Sequence, residues 1–201
     1  MEFSDPSIPI PTCHASSCAG CDVAESIHCH FGREDLFHFY LICMPGFLVG
    51  GAGILSFGLA PLVLWIGILL AFFGFVEIRV MCSHCPHYAE EGSTLRCWAN
   101  YGSPKLWRYR PGPMSTAENY AFFAGLAVVW GYPMGFLLTG GLWFLLTLYV
   151  LVNAAFLVTL KRFLCSRCMN FACPLNGVPE PVRAAFFERN PGVARAWEVG
   201  P

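Results

Sequence analysis

Four apolar runs dominate the chain, each about 20 residues long, the length that crosses a hydrocarbon core of about 30 Å as a helix. They are Leu36 to Phe57, Leu59 to Val80, Tyr120 to Leu138 and Gly141 to Leu160. None carries a charge at its centre; Glu77 and Arg79 close the second run, and Lys161 and Arg162 follow the fourth. The polar positions gather into three blocks before, between and after these runs.

Boundary signals agree with four helices. Ser115-Thr116-Ala117-Glu118 reads as a capping box before the third run. Gly58 to Pro61 and Thr139-Gly140-Gly141 read as turns. The expected fold is therefore an all-α integral membrane protein, its four transmembrane helices forming two tandem hairpins. Gly46, Gly50 and Gly53 share a helical face that permits close packing. Pro133 should kink the third helix. The expected units are a Cys-rich N-terminal segment (1–35), hairpin 1 (36–81), a Cys/aromatic/basic loop (82–118), hairpin 2 (119–160) and a Cys-rich tail with an amphipathic helix (161–201).

Charge sets the orientation. All twelve Lys and Arg fall in the N-terminal block, between the hairpins or in the C-terminal block, and the two turns have none. With four spans those blocks share one side, which the positive-inside bias makes cytoplasmic, termini included. The expectation is a multi-pass protein of the cytoplasmic membrane. The first 35 residues, with Pro6, Pro9 and Pro11, lack the apolar run of a cleavable signal peptide. Overall the chain is 56% hydrophobic and 12% charged, about half the charged share of soluble domains. Its net charge of -1 points away from nucleic acid. The aromatic and basic loop residues from Arg96 to Arg110 read instead as an interfacial belt against the lipid bilayer.

Eleven cysteines change the picture. The second run ends Arg79-Val-Met-Cys82-Ser-His-Cys85 and the fourth ends Arg162-Phe-Leu-Cys165-Ser-Arg-Cys168. Both read basic residue, two apolar residues, Cys-Ser-x-Cys, so the chain looks like two copies of a hairpin plus thiol pair. A parallel repeat has its axis along the membrane normal, which would bring the pairs together. Two Cys-x-x-Cys pairs supply four soft ligands to a metal. Cys97 follows the first pair and Cys173 the second, while the N-terminal segment adds Cys13, Cys18, Cys21 and Cys29. Two divisions of these ten are open. Each triad could take one N-terminal cysteine, or the four Cys-x-x-Cys thiols could form one site and the N-terminal four another. Cys43, inside the first run, reads as a small buried hydrophobe.

Iron–sulfur and structural zinc both suit thiolates. The all-cysteine repeat sets, the Cys173-Pro174 ending and the small extramembrane content tilt the expectation to an iron–sulfur cluster, with zinc as the alternative. His84 and His87 could complete a Cys82/Cys85 site. His38, a single intramembrane histidine, is poor support for haem. The tail positions Val182, Ala185, Phe186, Val193, Ala196 and Trp197 follow helical spacing and suit a helix lying on headgroups or in a partner's groove. Cys173-Pro174-Leu175 and the four-helix plan resemble membrane-bound ferredoxin-like electron-transfer subunits, although the full cluster motif is absent. No nucleophile or hydrolase motif occurs. The expected function is a membrane-anchored redox subunit without a catalytic centre of its own, working with a soluble oxidoreductase. The alternatives are a zinc-stabilised scaffold or assembly factor, and a thiophilic-metal handling protein.

Overall fold

The computed structural model describes residues 7–198; the first six residues of the N-terminal segment, Pro6 among them, and the last three of the tail lie outside the described residues. The described chain is helical, with a lone backbone bridge between Thr94 and Pro104 and no strand. Helix α1 covers Arg33–Leu55, and α2 covers Leu59–Ala71. A π-helical turn, Phe72–Val76, carries α2 into the short α3, Glu77–Val80. Helix α4 covers Thr116–Thr139 and α5 covers Trp143–Thr159, followed by a second π turn at Leu160–Leu164. Two short helices, α6 (Glu180–Arg189) and α7 (Pro191–Glu198), finish the chain. Four helical stretches are long and apolar enough to cross a membrane: Arg33–Leu55, Leu59–His84, Thr116–Thr139 and Trp143–Arg167.

The local signals act where their chemistry says they should. The Ser115 side chain accepts from the Glu118 N–H while the Glu118 carboxylate accepts from the Ser115 N–H at 2.9 Å, a reciprocal cap. Helix α4 continues unbroken through Pro133. The small-residue face of α1 packs directly on α4 and α5: a Cβ on Gly46 would stand 2.7 Å from Asn153 Oδ1, and one on Gly50 3.1 Å from Pro133.

Hydrogen bonds tie the spans together where lipid offers no partner. Trp130 Nε1 donates to Asn153 Oδ1 at 2.6 Å, Tyr149 Oη to the Trp130 carbonyl, and Trp65 Nε1 to the Val129 carbonyl. The intramembrane hydroxyls of Ser56 and Thr147 bond to carbonyls of their own helices.

Outside the spans, the N-terminal segment, the thiol turns and the tail pack into one unit. Ile10, Val23, Ile27, Cys85, Met169, Phe171 and Phe186 form its buried cluster. Thr12 donates to Asn190 Oδ1 at 2.8 Å, the His28 N–H to the Arg167 carbonyl, and Arg189 pairs with Asp22 at 2.6 Å. The apolar faces of α6 and α7 are spent here. Phe186 and Val193 are buried, and Val182, Ala185 and Trp197 pack against the same clusters. The tail thus covers this chain's own N-terminal segment rather than offering its apolar face to headgroups. Periodicity reveals an apolar face and says nothing of what will cover it.

Candidate metal centre and adjoining cavity

Each thiol turn is built the same way. The helix ends in a single 3-10 turn, Cys82–His84 and Cys165–Arg167, and the last cysteine of each pair turns extended. Ser83 Oγ donates to the Arg79 carbonyl at 2.7 Å, and Ser166 Oγ to the Arg162 carbonyl at 2.7 Å. The Cys85 N–H bonds the Cys82 carbonyl at 3.0 Å, and the Cys168 N–H bonds the Cys165 carbonyl at 3.5 Å. The repeated spacing between basic residue, serine and thiols therefore encodes one backbone shape twice.

These turns and their partner segments enclose a cavity of about 870 Å³. Cys82, Cys85, Cys97, Cys165, Cys168 and Cys173 all line it. The Asn100 N–H donates to Cys97 Sγ at 3.2 Å, and the backbone N–H groups of His87, Asn170 and Leu175 lie beside Cys85, Cys168 and Cys173. The His87 and Asn170 donors stand at equivalent places in the two copies. Such donors stabilise a thiolate more than a thiol. Burial works against them, pushing Cys97 up to about 11 and Cys173 to about 12, and Cys85 and Cys168 well above the usual thiol range. A bound soft cation reverses that preference by deprotonating its ligands.

Other groups brace the ring. Asn100 Nδ2 lies 3.4 Å from both Glu77 Oε2 and Cys82 Sγ. Asn170 Nδ2 donates to the Met81 carbonyl at 3.3 Å, joining the second copy to the first. Glu77 is buried and lines the cavity. Sequence reasoning passed over Asn100 and Asn170; no spacing rule marks an amide that reaches a ligand from a distant loop.

Among the described residues, no three His, Cys, Asp or Glu side chains converge at the spacing of a single metal ion. The six thiols stand around a space rather than about a point. The other four lie in the N-terminal segment, where Cys13, Cys21 and Cys29 pack against the cluster that contains Cys85. Cys29 is pushed up to about 12 by burial and then by its neighbours Cys21, Cys18 and Cys13. Cys18 Sγ sits 3.6 Å from His30 Nε2. Six of the cysteines therefore line the cavity, and the four N-terminal ones lie near one another. All are free of disulfides. Cys43, buried in α1, also lines the cavity.

The two loop histidines differ. His84 is fully engaged, with Nδ1 3.1 Å from the Gly112 carbonyl and Nε2 near Arg110 and Glu118. His87 has Nδ1 2.6 Å from Glu90 Oε1, while its buried Nε2 has no partner and the residue lines the cavity. Only His87 remains open as a ligand to anything bound there.

Comparison with known proteins returns no match: no family model, no characterised protein and no solved structure is similar to this chain.

Proposed function

We propose that this chain is a membrane-anchored redox subunit that holds an iron–sulfur cluster in the six-thiol ring and passes electrons to or from a soluble oxidoreductase. The carrying observation is six cysteines around one cavity, four of them with backbone N–H groups beside them. N–H groups directed at sulfur help set a cluster's potential. A single zinc would draw four sulfurs to about 2.3 Å of one point; a ring of six around an open space suits a larger inorganic core. Cys13, Cys18, Cys21 and Cys29 are the proposed second thiolate site. In this reading the spans form two tandem hairpins related by an axis along the membrane normal. The thiol ring and both termini face the cytoplasm, as the positive-inside bias requires.

A second reading, a scaffold with structural zinc, is favoured by one observation: the extramembrane segments pack into a unit with its own buried cluster, which a metal could pin. Iron, zinc and acid-labile sulfide measured on protein purified anaerobically in detergent, with a visible spectrum before and after dithionite, separate the two. Several irons with matching sulfide and a band near about 400 nm that bleaches on reduction are expected. Zinc alone, with no sulfide and no bleaching, overturns the redox reading.

A further inference from the structure

The cavity is deeper than a thiol site needs. The thiols follow the C-terminal ends of the second and fourth spans and so occupy one end of it. From there the lining runs inward between all four helices, from Phe39 to Phe47 on α1 and from Phe122 to Trp130 on α4. Each stretch advances eight residues, a depth of about 12 Å at the helical rise. Phe73 and Phe156 close the other sides. The volume of about 870 Å³ belongs with the larger small-molecule sites, which span about 300–1,000 Å³. Tyr40, Leu70 and Leu157 line the cavity and are exposed.

The thiol end also carries polar atoms that lack partners. His87 Nε2, Trp98 Nε1 and Asn170 Oδ1 are buried without a hydrogen bond, and all three residues line the cavity. His87 is 2% exposed and Asn170 6%. Buried orphans of this kind are rare in folded proteins and ask for a partner. In the neutral tautomer that donates Nδ1–H to Glu90, His87 Nε2 is an acceptor. The set is then one donor, Trp98, and two acceptors. A hydroxyl can accept from the first and donate to either of the others. Phe31 stands edge-on to His87 at 4.7 Å and to Trp98 at 5.1 Å, forming a narrow aromatic wall beside these atoms.

We propose that this cavity binds a lipophilic quinol, its ring hydroxyls accepting from Trp98 and donating to His87 and Asn170 beside the thiols and its apolar tail lying in the aromatic channel between α1 and α4. The electron partner implied for the ring is the cluster of the preceding section, so the redox significance rests on that reading. The binding itself does not.

The test uses the full chain in lipid nanodiscs, titrated anaerobically with a short-tailed ubiquinol and its quinone, with tryptophan fluorescence as readout. Saturable quenching at one ligand per chain is expected. Ala127→Phe, which fills the inner channel, should weaken binding at least about tenfold. His87→Phe keeps a ring but removes the acceptor, and should weaken quinol binding about tenfold, the scale of one lost buried hydrogen bond. Both variants are compared at equal unfolding temperature with the parent, so misfolding is visible. Non-saturable quenching, equal displacement by a phospholipid of matched chain length, or unchanged affinity in both variants overturns the proposal. Iron and sulfide are measured on the same samples. Saturable binding to cluster-free protein supports the site while sinking the redox reading; a full cluster without saturable binding does the reverse.

Discussion

The two Cys-Ser-x-Cys turns share a backbone and differ in what holds them. At the first, His84 is buried beneath Gly112, and Glu118 of α4 gathers Arg79 at 3.2 Å, Arg110 at 2.6 Å and His84 at 3.5 Å. At the second, Arg167 takes the place of His84 and is exposed, reaching only the Glu25 carbonyl, while Gly177 N–H closes on Cys165. The π turns differ as well: Leu160–Leu164 abuts its thiol turn, whereas α3 separates Phe72–Val76 from the other. A duplicated motif therefore fixes where the sulfurs stand, and each copy recruits its own support. The first leans on the membrane helix α4, the second on the N-terminal segment.

The largest expected effect probes what the copies share. On the proposed function, Cys85→Ser and Cys168→Ser each remove most of the metal bound by the six thiols, to a similar degree, while Cys18→Ser leaves it in place; metal analysis of each purified variant checks this. Unequal loss from the two equivalent positions would break the symmetry. Next comes what they do not share. Glu118→Ala removes the anion shared by Arg79 and Arg110 and one half of a helix cap, and should cost about 2 kcal/mol, as expected when partly buried charges lose their partner and a cap is lost. Arg167→Ala, at the exposed counterpart, should cost under about 0.5 kcal/mol. Thermal unfolding in detergent measures both. A smaller pair follows: Ser83→Ala deletes the bond to the Arg79 carbonyl and the one accepted from Arg110 at a buried site and should cost about 1 kcal/mol, whereas Ser166→Ala deletes a single bond at a partly exposed site and should cost less.

The smallest effect is a pH dependence confined to the first copy. Burial alone would raise the Glu90 carboxyl, but the bond from His87, with His87, Arg96 and Lys105 nearby, holds it below its usual value. A depressed acid contributes stability above its unfolded pKa, about 4.3, and loses it as pH falls through the lower folded value. Stability measured from pH 6 downward should therefore fall in the acid range, and Glu90→Gln should flatten that slope.

Several elements were legible in the chain alone because their signals are local. The four spans follow from run length and the α4 cap from Ser115 and Glu118; the duplicated turn follows from one spacing written twice. Gly46 and Gly50 announced a close helix contact, though not that Asn153 and Pro133 would fill it. The tail was misread in one respect. Its helical periodicity is real, yet its apolar face is covered by Ile10, Val23 and Ile27 from the other end of the chain. Nor could spacing separate His84 from His87, because what distinguishes them is Gly112 and Glu118 on one side and Glu90 on the other.

By itself the sequence determined the elements that depend on neighbours a few residues away or on the solvent: apolar length sufficient for a bilayer, helix caps, and the backbone of each thiol turn. Only the tertiary structure decided that six of the cysteines line one cavity, that Asn100 reaches Cys82 and Asn170 the Met81 carbonyl, and that an apolar channel opens from the thiols between the helices. Those outcomes depend on residues tens to hundreds of positions apart meeting in space. Helix packing and loop closure set such meetings, and no period or motif within one segment records them.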